Sequence, residues 1–348
     1  MHYVRFLSPP KVAEGPRASL TVNAVLAVTT DLGDDFYPHD LALRARVVDG
    51  LQHQKVLQSQ DYLCPGSSRA FKISLALPGK YASRDACVHV AVDKSGTSID
   101  GGRLPQVLDV WSTQFHLTDK QRAEPLVERR LTMPNGSALR VLEETGDSIA
   151  RHIWDASLGF LRFFAQVLST TETSSELQQM LSRKPKRPLR VIELGAGCGI
   201  VGIAFAQLVK SDVLLTDLDD ALDILNSNIR LAAPAAGSRL EAMVLDWSER
   251  LASTSTQYDL ILVSDCIYNP DSSVHLVETL QRLSKQRPVP LILVGYKHRH
   301  YADQVFFDQM RQAKFTPIAT GAIQLSHSKD DDDQAGPAIE FYEYRLQP

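Results

Sequence analysis

Two hydrophobic periods divide the chain. Over residues 19–28 apolar and polar positions alternate, with Leu20, Val22 and Ala24 on one face. Short runs of the same kind follow at 41–48, 70–77 and 87–92, separated by Gly, Pro, Asp and Ser clusters. Alternation broken by turn signals at this spacing predicts an antiparallel sandwich or small barrel over residues 1–115. Residues 107–116 read as a further strand or a crossover, and the polar stretch after it as a linker, placed at 116–125. A hairpin is expected over 126–142 around Pro134-Asn135-Gly136, a strong turn signal. Gly146 and Asp147 break the pattern, and residues 149–167 then carry Ile153, Trp154, Ser157, Leu158, Leu161, Phe164 and Val167 at helical spacing. From Leu189 onward, apolar runs at 189–194, 213–216, 240–245, 260–264 and 290–294 read as strands, with helical patterns after the first two and the last two. Residues 315–320 and 339–345 are further strand candidates. Strands alternating with helices predict a largely parallel sheet covered on both faces, in a second domain over 126–348.

Composition narrows the classes. The chain has 348 residues, room for two domains, and its 44% apolar and 22% charged content is ordinary for a soluble globular protein. A formal net charge of -4 gives no global attraction to nucleic acid or to an anionic membrane. No apolar run approaches the length of a membrane span, and Met1 to Lys11 lacks a signal-peptide core. Cys64, Cys87, Cys198 and Cys266 show no paired spacing, which argues against a disulfide framework or a zinc site and suits a reducing compartment. A cytoplasmic protein is expected. Arg183-Lys184-Pro185-Lys186-Arg187 reads as a solvated loop or, alternatively, a nuclear address. In the first domain Asp34 and Asp35 fall in a turn and His39 and His53 have no partner at ligand spacing, so no metal is expected, and a folding, recognition or docking module is the reading there.

Ligands of parallel α/β sheets bind outside the carboxyl ends of the strands, so the residues just after each strand carry the chemistry. After the first comes Glu193-Leu194-Gly195-Ala196-Gly197-Cys198-Gly199, leading into a helix. Glycines let the loop turn sharply and a ligand lie against its backbone. The run looks like motif I of the S-adenosylmethionine-dependent methyltransferases. Gly197-x-Gly199-x-x-Gly202, with Asp217 about 20 residues beyond Gly197, also matches the dinucleotide fingerprint. Asp217, after the second strand, can accept from both ribose hydroxyls of an adenosine in either case, or cap the helix that follows. Asp246-Trp247, after the third, offers an acceptor for an adenine amine and an apolar wall. Asp265-Cys266-Ile267-Tyr268 follows the fourth. A carboxylate and a phenol oxygen there can accept amine hydrogens and aim a lone pair, although a capped buried Tyr is the commoner use of such a pattern.

Taken together, residues 126–348 resemble the seven-β-strand, S-adenosylmethionine-dependent protein-lysine methyltransferases of the Asp-x-x-Tyr family (family 16), the group containing the valosin-containing-protein lysine methyltransferase. Trp154-Asp155-Ala156 is similar to its Trp-Asp-Ala motif, Glu193 to Gly199 to its Glu-Leu-Gly-Ala-Gly-Thr-Gly loop with Cys198 in place of Thr, Thr216-Asp217 to its ribose-binding pair, and Asp265 to Tyr268 to its catalytic motif. The resemblance implies a Rossmann-like sheet with strand order 3-2-1-4-5-7-6 and the last strand antiparallel. It implies S-adenosylmethionine as cofactor, held by Trp154, Glu193, Gly195, Ala196, Gly197, Gly199, Asp217, Leu218, Asp246, Trp247 and Ser264, with S-adenosylhomocysteine as product. It also implies Asp265 and Tyr268 as catalytic residues, a protein substrate carrying the target lysine, and a monomer. It does not reach residues 1–115.

Gly295-Tyr296-Lys297-His298-Arg299-His300 follows the fifth strand. Tyr296 is a candidate wall of the lysine channel, and the basic residues either meet an acidic protein surface or form a solvated loop. Asp330 to Asp333 reads as an extended acidic loop. Two alternatives stay open: a methyltransferase acting on a small molecule or nucleic acid, and a non-catalytic scaffold that recruits a partner through its β domain. The missing Asn-Pro-Pro-Tyr type motif and the lack of basic excess argue against nucleic acid.

Overall fold

The structure, a computed structural model, describes residues 1–347 apart from 16–18, 53–54, 93–98, 100–103, 119, 145–148, 171–174, 184–185, 250–255 and 326–336. His53, Gly146, Asp147, Lys184, Pro185 and the Asp330 to Asp333 run therefore lie outside the described residues. The chain divides into two units, one formed by Met1–Ser98, Pro105–Thr132 and Arg140–Ser148, the other by Ile99–Leu104, Met133–Leu139 and Ile149–Pro348.

The first unit is built from strands β1 (His2–Glu14), β2 (Leu20–Thr29), β3 (Leu41–Asp49), β4 (Val56–Cys64), β5 (Phe71–Leu77), β6 (Asp85–Val92), β7 (Val107–Leu108), β8 (Val110–Ser112), β9 (Phe115–His116), β10 (Leu126–Thr132) and β11 (Ala138–Glu144). One sheet runs β5-β2-β1-β7 and the other β11-β10-β8-β6-β3-β4, with β9 on β6. Alternate residues from both, such as Val22, Ala24 and Leu26 against Leu43, Ala45, Val88 and Val90, form one apolar core, which makes the unit a sandwich.

The boundary differs from the sequence expectation. Residues 116–125 are not a linker: Leu117 and Ala123 are buried, Val12 N–H donates to the Gln121 carbonyl, and Lys11 bridges Arg122. The hairpin that follows pairs with the same sheet, Val127 opposite Ser112, so the unit reaches residue 148. A strand must satisfy its backbone groups, and β8 offers a free edge there. Beneath it Arg129, 1% exposed, pairs with Glu143 at 2.6 Å. The turn itself follows the expected chemistry: Gly136 has φ +78° and Asn135 Oδ1 accepts the Ser137 N–H.

The second unit contains α1 (Asp155–Ser169), α2 (Glu176–Ser182), β12 (Leu189–Leu194), α3 (Ile200–Leu208), β13 (Ser211–Asp217), α4 (Leu222–Leu231), β14 (Arg239–Val244), β15 (Leu260–Ser264), α5 (Pro270–Ser284), β16 (Leu291–Lys297), α6 (Gln304–Gln312), β17 (Phe315–Gln324) and β18 (Ala338–Leu346). Its sheet runs β14-β13-β12-β15-β16-β18-β17, with β18 antiparallel to both neighbours and the other pairings parallel. Strand order reverses between β12 and β15. A crevice opens at such a switch point beyond the strand ends. The helical pattern expected from residue 149 begins at Asp155, because Trp154 has extended backbone (φ -102°, ψ 154°) and stands as the N-cap of α1.

Candidate active site

Each segment after a strand is shaped by local geometry that the sequence encodes. Gly195, Gly197 and Gly199 adopt φ of +65°, +55° and +76°, which side chains rarely tolerate. Gly195 is the tightest: a Cβ there would lie 2.6 Å from Cys266 Sγ and 3.1 Å from the Trp247 ring. The loop is held to the next strand by Ala196 N–H donating to the Thr216 carbonyl (2.9 Å) and Gly197 N–H donating to Asp217 Oδ2 (2.7 Å). Gly199 caps α3.

Glu193 is buried against the start of α3. It is 1% exposed, and its Oε2 accepts the Gly202 N–H in the first turn of α3 at 2.8 Å. Burial pushes its carboxyl up to about 8, the hydrogen bond from Gly202 opposing the shift and the charge of Asp217 adding to it. Its contact in the structure anchors the helix beneath the loop. The unpaired N–H groups of a helix start supply the partner.

Asp217 keeps its position at the strand end. Oδ2 takes the Gly197 N–H and Oδ1 the N–H of Leu218 (2.7 Å), whose own side chain is exposed. Burial raises its pKa against those two hydrogen bonds. Asp246 Oδ1 accepts from the N–H and hydroxyl of Ser248 (2.8 and 2.7 Å), which holds its carboxyl below the usual range. Trp247 lies against Gly195, and its buried indole nitrogen has no hydrogen-bond partner among the described residues. Ser264 is buried, 3.3 Å from the Ser157 hydroxyl of α1.

Asp265 has φ +54° and a side chain only 6% exposed. Oδ1 accepts the Lys297 N–H at 3.2 Å and Oδ2 holds the Arg299 guanidinium. Tyr268 is half-exposed. Partial burial, and then the charges of Cys266, Asp217 and Asp265, push its phenol up, so it is an uncharged hydroxyl at neutral pH. With Gly197 bound to Asp217 and Gly195 packed on Cys266, the ends of β13 and β15 meet at one glycine loop. Trp154 donates its indole N–H to the Ile149 carbonyl (3.1 Å), and the Arg299 guanidinium sits 5.5 Å from its ring centre.

Tyr296 departs from expectation. It is 4% exposed and packs with Ile292 and Val294 in the core, 5.3 Å from the Phe307 ring. Successive side chains of a strand point to opposite faces, and Tyr296 falls on the core face; it does not line a channel. Lys297 and Arg299, which the sequence suggests for an acidic partner surface, instead pair with acids of this chain, Asp155 and Asp265. Asp155, fully buried, was not among the expected site residues. The signal was present: Lys297 ends β16 on the face opposite Tyr296, and a cation withdrawn from water there requires an acid nearby. Among the described residues no group of three His, Cys, Asp or Glu side chains is arranged to hold a metal ion.

A family model described as lysine methyltransferase matches residues 133–313. A UPF0665 family protein of Schizosaccharomyces pombe is 28% identical over 318 residues, 89% of this chain and 92% of that protein. Protein N-lysine methyltransferase METTL21A of Xenopus tropicalis is 33% identical over 164 residues, 47% of this chain and 67% of that protein. Protein-lysine N-methyltransferase EFM6 of Saccharomyces cerevisiae is 28% identical over 194 residues, 50% of this chain and 75% of that protein.

Proposed function

Because this chain belongs to the lysine methyltransferase family, we propose that it transfers a methyl group from S-adenosylmethionine to the side-chain nitrogen of a lysine in a protein substrate. The observation that carries this reading is the convergence, beyond β12, β13 and β15, of a positive-φ glycine loop, the Asp217 carboxylate and the Asp265 and Tyr268 pair. The frog and yeast relatives named as protein-lysine methyltransferases support a protein lysine as acceptor.

The residues present fit the cofactor. The Gly195 backbone is packed so closely under Cys266 and Trp247 that no Cβ fits there, and the buried Trp247 indole N–H has no acceptor among the described residues. Asp217 has spent one lone pair of each oxygen on the backbone, which leaves one on each for the two ribose hydroxyls. Gly197, Ala196 and Gly199 continue the cradle, with Leu218, Asp246, Trp154 and Ser264 around it. When bound, S-adenosylmethionine supplies a methyl group on a positively charged sulfur, activated toward a nucleophile. The chain supplies alignment: Asp265 and the uncharged Tyr268 phenol accept hydrogens of the lysine amine and aim its lone pair.

Calorimetric titration with S-adenosylhomocysteine tests the cofactor. Wild type is expected to bind and Asp217→Ala to lose at least about a hundredfold in affinity, the lower end of what two hydrogen bonds to a charged group contribute at about 1.5 to 3 kcal/mol each. Incubation with methyl-labelled S-adenosylmethionine and cell lysate tests the acceptor: label is expected on lysine of a protein band with wild type and not with Asp265→Ala. Binding without protein label would turn the reading toward a small-molecule acceptor.

A further inference from the structure

Four charged side chains beside the proposed active site are locked in two pairs. Lys297 Nζ lies 2.8 Å from Asp155 Oδ2 at the start of α1, and the Arg299 guanidinium holds Asp265 Oδ2 just after β15. Their side-chain exposures are 15% and 0%, then 16% and 6%, so none of the four is a solvated surface charge. The segment that carries Arg299 is itself fixed: Asp303 Oδ2 accepts the backbone N–H of Arg299 and of His300, each at 3.1 Å. The guanidinium lies over the Trp154 ring. Asp265 takes up left-handed backbone to present its carboxylate at this place, a conformation that costs a non-glycine residue about 1 to 3 kcal/mol and persists where surrounding contacts impose it.

We infer that Arg299 is a positioning residue of the methyl transfer: by neutralising Asp265, it lets the site take up the acceptor lysine as a free amine. The inference rests on the lysine methyltransferase reading above. A lysine amine is protonated at neutral pH and has no lone pair to donate until it loses that proton. An unpaired, buried carboxylate beside it would favour the ammonium form and oppose that loss. A carboxylate already paired with a guanidinium can still accept one N–H, yet brings no uncompensated negative charge. In the step itself, the amine first gives a proton to water. Its lone pair then forms the new C–N bond while the methyl–sulfur bond breaks, the bonding pair staying on sulfur. The methylated nitrogen takes over the positive charge and sheds it by losing a proton to water.

The balance of charge around the carboxylate is set from several elements. Lys297 ends β16, Arg299 lies two residues beyond it, and Asp155 comes from α1. Asp303 stands beside Arg299. Tyr268 and Cys266 belong to the segment of Asp265 itself, and Asp217 and Glu193, at the ends of β13 and β12, act on Cys266 together with Asp265. With Glu193 holding its proton at neutral pH, the carboxylates of Asp155, Asp217, Asp265 and Asp303 still outnumber Lys297 and Arg299, with His298 Nδ1 3.6 Å from Asp303 Oδ2, so loss of the Arg299 charge leaves a site that holds ammonium.

The test is the pH dependence of the initial rate at saturating S-adenosylmethionine, with the protein purified from the labelled lysate band as saturating acceptor. Wild type, Arg299→Met and Arg299→Lys are compared from about pH 6 to about pH 10, where a lysine amine and its neighbours titrate. For Arg299→Met the acid limb is expected to move up by about one unit, a roughly tenfold loss below the limb, with the alkaline plateau kept within about threefold. Arg299→Lys is expected to retain the wild-type limb. If the methionine variant is insoluble, Arg299→Gln carries the same expectation. A limb that stays in place while the rate falls equally at every pH would show a merely structural role and overturn the inference alone, as would an unchanged profile. If wild type binds S-adenosylhomocysteine but places no methyl on protein lysine, the functional reading falls and the inference with it.

Discussion

Substitution of Gly195 by alanine tests whether the glycine loop is a cradle shaped by its neighbours. Two costs arise. The backbone sits at φ +65°, where a residue with a Cβ is less stable by about 1 to 2 kcal/mol. The new methyl group would also lie 2.6 Å from Cys266 Sγ, about 1 Å inside ordinary contact distance. Cys266 cannot simply move aside, because its thiol approaches the carbonyls of Leu194 and Ser264 at 3.3 Å each. Relief must come from the loop, at a cost typical of overpacking, about 1 to 3 kcal/mol. The expected total is about 2 to 5 kcal/mol, shared between a lower Tm and weaker S-adenosylhomocysteine binding. Calorimetry and thermal melts read the two parts. Cys266→Ala in the Gly195→Ala background is expected to restore much of the steric part, about 1 to 3 kcal/mol, and to leave the backbone part in place. If Gly195→Ala binds as wild type does, or if the second substitution only adds damage, the cradle argument is refuted.

Two further outcomes are expected. Glu193 has its folded pKa pushed up from 4.5 to about 8, so between those values the folded state binds the extra proton and the contribution of this group to stability falls as pH rises. Glu193→Gln keeps an acceptor for the Gly202 N–H without the titration; in melts from about pH 5 to about pH 9 it should gain on wild type as pH rises, and parallel curves would show that burial does not hold the proton. In the first unit, Arg129→Met strands Glu143 in a core where both partners are 1% exposed, and chemical denaturation should register about 3 to 5 kcal/mol, whereas Arg129→Met with Glu143→Leu should recover most of it. Equal losses in the single and double variants would mean that packing around Arg129, not the charge left behind, sets the cost.

The second unit was legible because its two signals are local. A buried parallel strand is a short apolar run, and the residue that follows it lies at the ligand-facing end whatever the rest of the chain does. Asp217, Trp247 and Asp265 could therefore be placed at the ends of their strands by counting, Ser264 only through the family resemblance, and the glycines of the loop by the backbone freedom that the turn demands. The alternation at Leu20, Val22 and Ala24 likewise fixed one inward face of the first unit.

What the chain order could not settle was which polar groups meet across elements. The hairpin at 126–144 could belong to either unit, and only the free edge of β8 decided it. Glu193 was assigned to the cofactor by its place in the motif, and the packed structure shows its carboxylate accepting the amide of Gly202 under α3. Tyr296 was assigned to the site by its proximity in sequence, while the strand pleat turned it into the core and turned its neighbour Lys297 toward Asp155. Residues 155 and 297, or 265 and 299, are far apart along the chain, and a carboxylate reads the same in sequence whether water or a guanidinium will face it. Periodicity and backbone chemistry act between near neighbours and are written in the sequence; the pairing of buried charges is set by desolvation and distance, which exist only once the strands and helices have packed.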